Sequence, residues 1–109
     1  MSEARDRLFP PRPILSVSVA VFRAGKVLLA ERARAPFQGY YSCPGGVVEI
    51  GERLEAAALR ELQEEVGVEA DIVAFNDFIQ SIEATPEGVR SHYVIACFAA
   101  VWRAGDSWR

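Results

Sequence analysis

A two-residue alternation of apolar and small polar positions begins at residue 14. Val17, Val19 and Val21 share one face of the segment Ile14–Arg23, and Ser16, Ser18 and Ala20 share the other, which predicts a strand with one buried face. Ala24, Gly25 and Lys26 read as a turn into a second strand over residues 27–32, so the two form a hairpin. The period then changes. Ala58, Leu59, Leu62 and Val66 recur at helical spacing, which predicts a helix over residues 53–66 with these four as its core-facing stripe. Gly67 supplies a left-handed stop. Arg53 stands where a capping serine would be favoured, at a cost of about 1 kcal/mol. Residues 68–83 read as strand, broken near Asn76 and Asp77, and Thr85-Pro86-Glu87-Gly88 reads as a turn. Residues 89–102 form a long strand with Tyr93, Ile95, Cys97 and Val101 on one face and Val94, Ala96 and Phe98 on the other. A strand apolar on both faces is expected at the centre of a sheet, covered on both sides. Residues 1–13 carry three prolines and mixed charge, and are expected to form an N-terminal arm. Residues 14–109 then make a single domain of α/β class.

The polar side of the predicted helix carries the chemistry. At about 100° per residue, Glu61, Glu64 and Glu65 fall within an arc of about 100°. Like charges four apart, as at Glu61 and Glu65, cost about 0.2–0.5 kcal/mol on a helix surface, and a bound cation relieves that cost. An all-oxygen ligand set suits a hard ion, Mg²⁺ or Mn²⁺, better than zinc. A solvated acidic face is the alternative reading of the same cluster. The preceding Pro44-Gly45-Gly46 shifts the balance, because a glycine loop lets backbone approach a ligand closely. Glu52 and Glu55 sit near the positive end of the helix.

Residues 46–68 resemble the signature of the Nudix hydrolases, G-x5-E-x7-R-E-U-x-E-E-x-G-U, where U is bulky and aliphatic. Gly46, Glu52, Arg60, Glu61, Leu62, Glu64, Glu65, Gly67 and Val68 fill every specified position, a far more restrictive match than a lone glycine motif. The resemblance implies an α/β/α sandwich with a mixed sheet. Nudix domains usually continue with a further strand and a C-terminal helix, and this chain, ending seven residues after Trp102, is expected to be short of both. One face of the sheet around Trp102, Phe98 and Val94 would then be uncovered, and a homodimer through the C-terminal strand region is expected.

The resemblance also implies a reaction: hydrolysis of the pyrophosphate bridge in a nucleoside diphosphate linked to another group. A divalent metal is needed because pyrophosphate repels both the attacking oxygen and the enzyme's own carboxylates. The metal-binding positions carried over are Glu61, Glu64, Glu65, Glu52 and the backbone carbonyl of Gly45. Glu61, Glu64 and Arg60 are the expected catalytic residues, with Arg60 orienting the carboxylates. The general base is either Glu61 or an acid beyond the motif, where Glu83 and Glu87 flank the turn at 85–88. Arg32, Tyr40 and Tyr41 are candidate substrate contacts; the tyrosines either stack on a base or simply pack. ADP-ribose or an ADP-sugar is the favoured substrate. A Nudix-fold module that binds a nucleotide without cleaving it is the competing expectation.

Composition narrows the setting. Half of the 109 residues are hydrophobic and a quarter charged, as in an ordinary globular domain. The net charge of −3 argues against bulk nucleic-acid binding, which needs a basic face. No apolar run reaches the roughly 18 residues of a membrane span, and the first residues lack a signal-peptide core, so a cytoplasmic location is expected. Cys43 and Cys97 lack metal spacing and are expected as reduced thiols, with Cys43 a packing residue beside the glycine loop. His92, the lone histidine, is expected to be structural.

Overall fold

The alternation at residue 14 is realised as strand β1, Ile14–Arg23, whose Val17, Val19 and Val21 are all buried. The computed structural model of the chain describes residues 8–31 and 41–105. After β1 come β2 (Lys26–Val27), β3 (Ala30–Glu31), β4 (Tyr41–Ser42), β5 (Gly45–Val47), helix α1 (Leu54–Val66), β6 (Glu69–Thr85) and β7 (Gly88–Ala104). The sheet is mixed. Its order is β2-β1-β7-β6, with β5 sharing with β2 the edge of β1 away from β7. β1 runs parallel to β7, and the other pairings are antiparallel. The motif helix lies on this mixed sheet, as the resemblance implies.

The first hairpin turns through Ala24 and Gly25, with φ of 51° and 77°. Two successive left-handed residues match the right-handed twist of a tight hairpin. The strand expected over residues 27–32 is instead two short pieces in different sheets. Leu28 donates its N–H to the Val21 carbonyl at 2.9 Å and buries its side chain completely. Beyond it the chain leaves the main sheet, and β3 pairs with β4 in a separate two-stranded ladder.

β6 does not break at Asn76-Asp77. Phe75 pairs with Phe98 and Asp77 with Cys97, so Asn76 is the extra residue of a bulge. The poor strand formers at this point mark a kink rather than an end. A second irregularity falls between Ile72 and Ala74.

Directly opposed residues share a face of the sheet. Val17, Val19 and Val21 of β1 lie beside Ala96, Phe98 and Ala100 of β7, and Ala57, Ala58 and Leu62 of α1 complete one buried cluster with them. Burying these side chains is the main stabilising term. The core stripe of α1 differs by one residue from the predicted one. Leu59 is 37% exposed, and Ala57 is buried in its place. The contact line runs Leu54, Ala58, Leu62, Val66, a four-residue row that lies straighter over the sheet than one including Leu59. Arg53 caps the helix in extended backbone without a side-chain hydrogen bond, and Gly67 closes it in the left-handed conformation, both as expected.

β7 is central in the sheet, as predicted, but not covered on both sides among the described residues. Ile95, Cys97 and Ala99 are half-buried, and Val101 is 49% exposed beside the similarly exposed Phe22. The residues expected to be uncovered face α1 instead. Phe98 is buried. Trp102 is half-buried, with the Arg23 guanidinium 3.7 Å over its ring and its Nε1 donating to the Gly105 carbonyl at 3.0 Å. Among the described residues no helix is long and apolar enough to cross a membrane.

The burial pattern sets two leucines of one helix apart. Leu62→Ala is expected to lower unfolding free energy by about 2–5 kcal/mol, the range for a buried leucine. Leu59→Ala should cost less than about 1 kcal/mol. Urea denaturation followed by circular dichroism measures both, and similar losses at the two positions would contradict the packing described.

Candidate active site

The glycine loop is held by β1. Gly45 pairs with Ser18 and Gly46 with Val17, and Val19 donates its N–H to the Pro44 carbonyl at 2.9 Å. Because Val17 faces the helix, so does Gly46. A Cβ on Gly46 would lie 2.5 and 2.6 Å from the carboxylate oxygens of Glu61, so the carboxylate occupies the space that a side chain would take. At Gly45 a Cβ would collide with the Val17 carbonyl. The Gly45 N–H donates to Glu65 Oε2 at 3.0 Å, which ties the end of α1 to the loop.

Ahead of the helix, Glu49 and Glu52 close a reciprocal turn. Glu52 N–H donates to the Glu49 carbonyl and Glu49 N–H to Glu52 Oε1, each at 3.0 Å. This fixes the Glu52 carboxylate against Arg60, which receives it as a fork: Nε to Oε2 at 2.7 Å and Nη2 to Oε1 at 3.0 Å. Bidentate pairing of this kind is the strong form of a carboxylate–guanidinium contact. Arg60 Nη1 donates to Glu61 Oε1 at 2.8 Å and to Glu64 Oε2 at 3.2 Å, and Nη2 donates to the Val47 carbonyl at 3.1 Å. These five hydrogen bonds match the five N–H donors of a guanidinium. A lysine could not reproduce the arrangement.

The network shifts the charges it joins. The hydrogen bond from Arg60, then that from the Glu49 backbone, holds the Glu52 carboxyl down to about 2, from an ordinary 4.5. The same bond to Glu52, ahead of that to Glu61, raises Arg60 above its already high value. Arg60 thus holds Glu52 ionised and places one cation among the carboxylates on the flank of α1 beside β5.

Of the residues singled out from sequence, the structure brings Glu52, Arg60, Glu61 and Glu64 into one network and sets Glu65 on Gly45. Arg32 and Tyr40 lie outside the described residues, and Tyr41 enters through its backbone in β4. Glu83 lies near the far end of the β6–β7 hairpin, 3.8 Å from Arg90, and His92 bonds Gln80 at 3.0 Å. Cys43 and Cys97 are free thiols. Burial pushes both pKa values up, which suits packing residues rather than reactive thiolates. Sequence reasoning missed Glu49, whose Oε1 lies 3.8 Å from Arg60 Nη1, and the Val47 carbonyl. Val47 ends β5 and Glu49 lies in the turn before α1, where helical periodicity carries no signal.

Among the described residues, no three acidic, histidine or cysteine side chains converge as metal ligands. Glu61 and Glu64 turn to Arg60, and Glu65 turns to Gly45. The donor chemistry still fits a divalent hard cation. Among the described residues the side chains gathered at Arg60 offer carboxylate oxygens, and the Glu64 side chain is 59% exposed, so it has room to adjust.

Residues 12–107 match the NUDIX domain family. The chain belongs to the Nudix family. It is 30% identical over 96 residues to an ADP-ribose pyrophosphatase of Methanocaldococcus jannaschii, covering 86% of this chain and 57% of that one. It is 44% identical over 62 residues to a putative 8-oxo-dGTP diphosphatase 2 of Mycobacterium tuberculosis, covering 56% of this chain and 44% of that one. The fold superposes on the NUDIX domain of Shewanella oneidensis NrtR, solved with ADP ribose, with a TM-score of 0.67 and 27% identity, covering 93% of this chain and 71% of that one. The chain spans about half the length of these curated relatives. Nudix hydrolases generally use divalent metals.

Because the Glu52 pKa is depressed on folding, its contribution is complete above about pH 4.5 and is lost as pH falls toward 2. Glu52→Gln is therefore expected to flatten the fall of the urea midpoint across that window. An unchanged acid profile in the variant would remove Glu52 from the stabilising network.

Proposed function

We propose that this Nudix chain is a metal-dependent hydrolase of the pyrophosphate bond in a nucleoside diphosphate linked to another group, acting in the cytoplasm. ADP-ribose or an ADP-sugar is the favoured substrate. The observation that carries the reading is the Arg60 network, which gathers Glu52, Glu61 and Glu64 on the flank of α1 that faces the glycine loop. Family membership supports the class of bond. The name of the Methanocaldococcus jannaschii relative and the ADP ribose in the NrtR structure support the substrate. The Mycobacterium tuberculosis relative makes an oxidised nucleoside triphosphate the competing substrate.

Mg²⁺ or Mn²⁺ would be held by Glu61, Glu64, Glu65 and Glu52 with the Gly45 carbonyl. Such an ion neutralises pyrophosphate charge and makes water more acidic. The protein's own work is positional. Arg60 fixes Glu52, Glu61 and Glu64 relative to the Val47 carbonyl, and preorganised groups of this kind lower a barrier without reorganising during reaction. Glu61 has Oε1 engaged by Arg60, and we assign its Oε2 to accept the proton of the attacking water. Gly46 leaves room for that carboxylate. Arg32, Tyr40 and Tyr41 are the proposed contacts to phosphate and base.

Purified protein incubated with Mg²⁺ and a panel of nucleotides should release a nucleoside monophosphate from ADP-ribose faster than from 8-oxo-dGTP, and chelation should abolish release. Glu64→Gln should lower turnover at least about 100-fold, the upper end of what losing an outer-shell partner costs, with an unchanged circular dichroism spectrum. Turnover like wild type in that variant would overturn the metal assignment. Calorimetric binding of ADP-ribose without product would favour a binding module instead.

Gly46→Ala probes the close approach independently. The added methyl meets the end of the Glu61 side chain, which can move, so the fold should persist while turnover falls. A variant with full activity would show that Glu61 does not need its present position.

A further inference from the structure

Among the described residues, β6 carries a run of half-exposed apolar side chains. Val73, Phe75, Phe78, Ile79 and Ile82 are 48–63% exposed, and all lie within ten residues of β6. Among the described residues, β6 of the main sheet pairs with β7 alone, and its other edge carries no strand. Between Ile72 and Ile82 the sole charged residue is Asp77. Edge strands are ordinarily blunted by charge, proline or bulges, and here the bulges lie on either side of residues 77–83, which keep regular register with β7. The Phe78 N–H bonds Asp77 Oδ1 at 2.7 Å, which accords with a backbone group turned to the edge away from β7. By strand alternation, the backbone groups of Gln80 and Ile82 also point to the open edge.

We propose that this edge of β6 is a self-association surface whose occupant is a second copy of the chain, joined antiparallel about a two-fold axis at Gln80. The segment is self-complementary in that register. On the face toward α1, Phe78 of each copy lies opposite Ile82 of the other, and Gln80 opposite Gln80. On the other face Ile79 lies opposite Ser81. The one repulsive pairing sets Asp77 opposite Glu83, and Arg90, 3.8 Å from Glu83, offsets it. Such an interface is isologous and closes on itself. The five side chains supply roughly 400–500 Å² per copy. The paired backbone and the wall of the adjoining cleft bring this near the roughly 800 Å² per partner of a stable interface. That cleft, of about 550 Å³, lies between Leu54 and Glu55 of α1 and Ile72, Phe75 and Phe78 of the β6 side. It is on the flank of the helix away from Arg60, so pairing leaves the glycine loop open. The inference does not rest on the proposed reaction.

Sedimentation velocity at micromolar concentration tests it. The wild type is expected to be a reversible dimer. Phe78→Glu and Ile82→Glu should each raise the dissociation constant about ten-fold or more, as for central interface residues, and Val101→Glu on the opposite face of β7 should leave it unchanged. Circular dichroism checks that each variant is folded. Gln80→Cys supplies a second measurement that needs no disruptive charge: mild oxidation should cross-link two copies through that position. A monomeric wild type, a dimer lost through Val101→Glu rather than Phe78→Glu, or no cross-link at residue 80 would each overturn the proposal, and the exposed edge would then belong to another partner.

Discussion

Arg60 is the group around which the motif is assembled. Its guanidinium joins three parts of the chain: the turn carrying Glu52, the α1 flank carrying Glu61 and Glu64, and the Val47 carbonyl at the end of β5. Several carboxylates on one helix flank repel one another, and the acidic clustering is sustainable because one fixed cation sits among them. The planar fork of the guanidinium sets directions as well as charge.

The sheet supplies the other half of the constraint. β1 is parallel to β7 on one side and lends its other edge to both β2 and β5. The pairing Val17↔Gly46 brings the loop beneath the helix, and the absence of a side chain at 46 lets Glu61 come down onto it. Packing and chemistry thus divide α1 by face. Leu54, Ala58, Leu62 and Val66 hold the helix to the sheet, while Arg60, Glu61 and Glu64 look toward β5. A change that rotates the helix would disturb both functions together, whereas Leu59, outside both sets, is free of that coupling.

The two flanks of the helix have different characters. Toward β5 lie carboxylates, the Arg60 guanidinium and backbone. Toward β6 lie aromatic and aliphatic side chains around a cleft. A molecule with this division can keep one flank open for an anionic ligand and use the other for apolar contact without the two competing.

Local properties were written in the sequence. The alternation of valines determined β1, Gly67 determined where α1 ends, and the spacing from Gly46 to Val68 identified the family and the residues of the candidate site, because periodicity and turn chemistry act over a few residues. What required long-range contact was decided only by tertiary structure. Whether 27–32 continued as one strand depended on where Leu28 found a buried site, and whether Asn76-Asp77 broke or bulged β6 depended on β7 lying alongside. Leu59 gave way to Ala57 because helix orientation answers to the whole sheet surface. Glu49 and the Val47 carbonyl joined Arg60 because the turn and β5 carried them there, and no one-dimensional spacing records a contact made by folding two loops against one side chain.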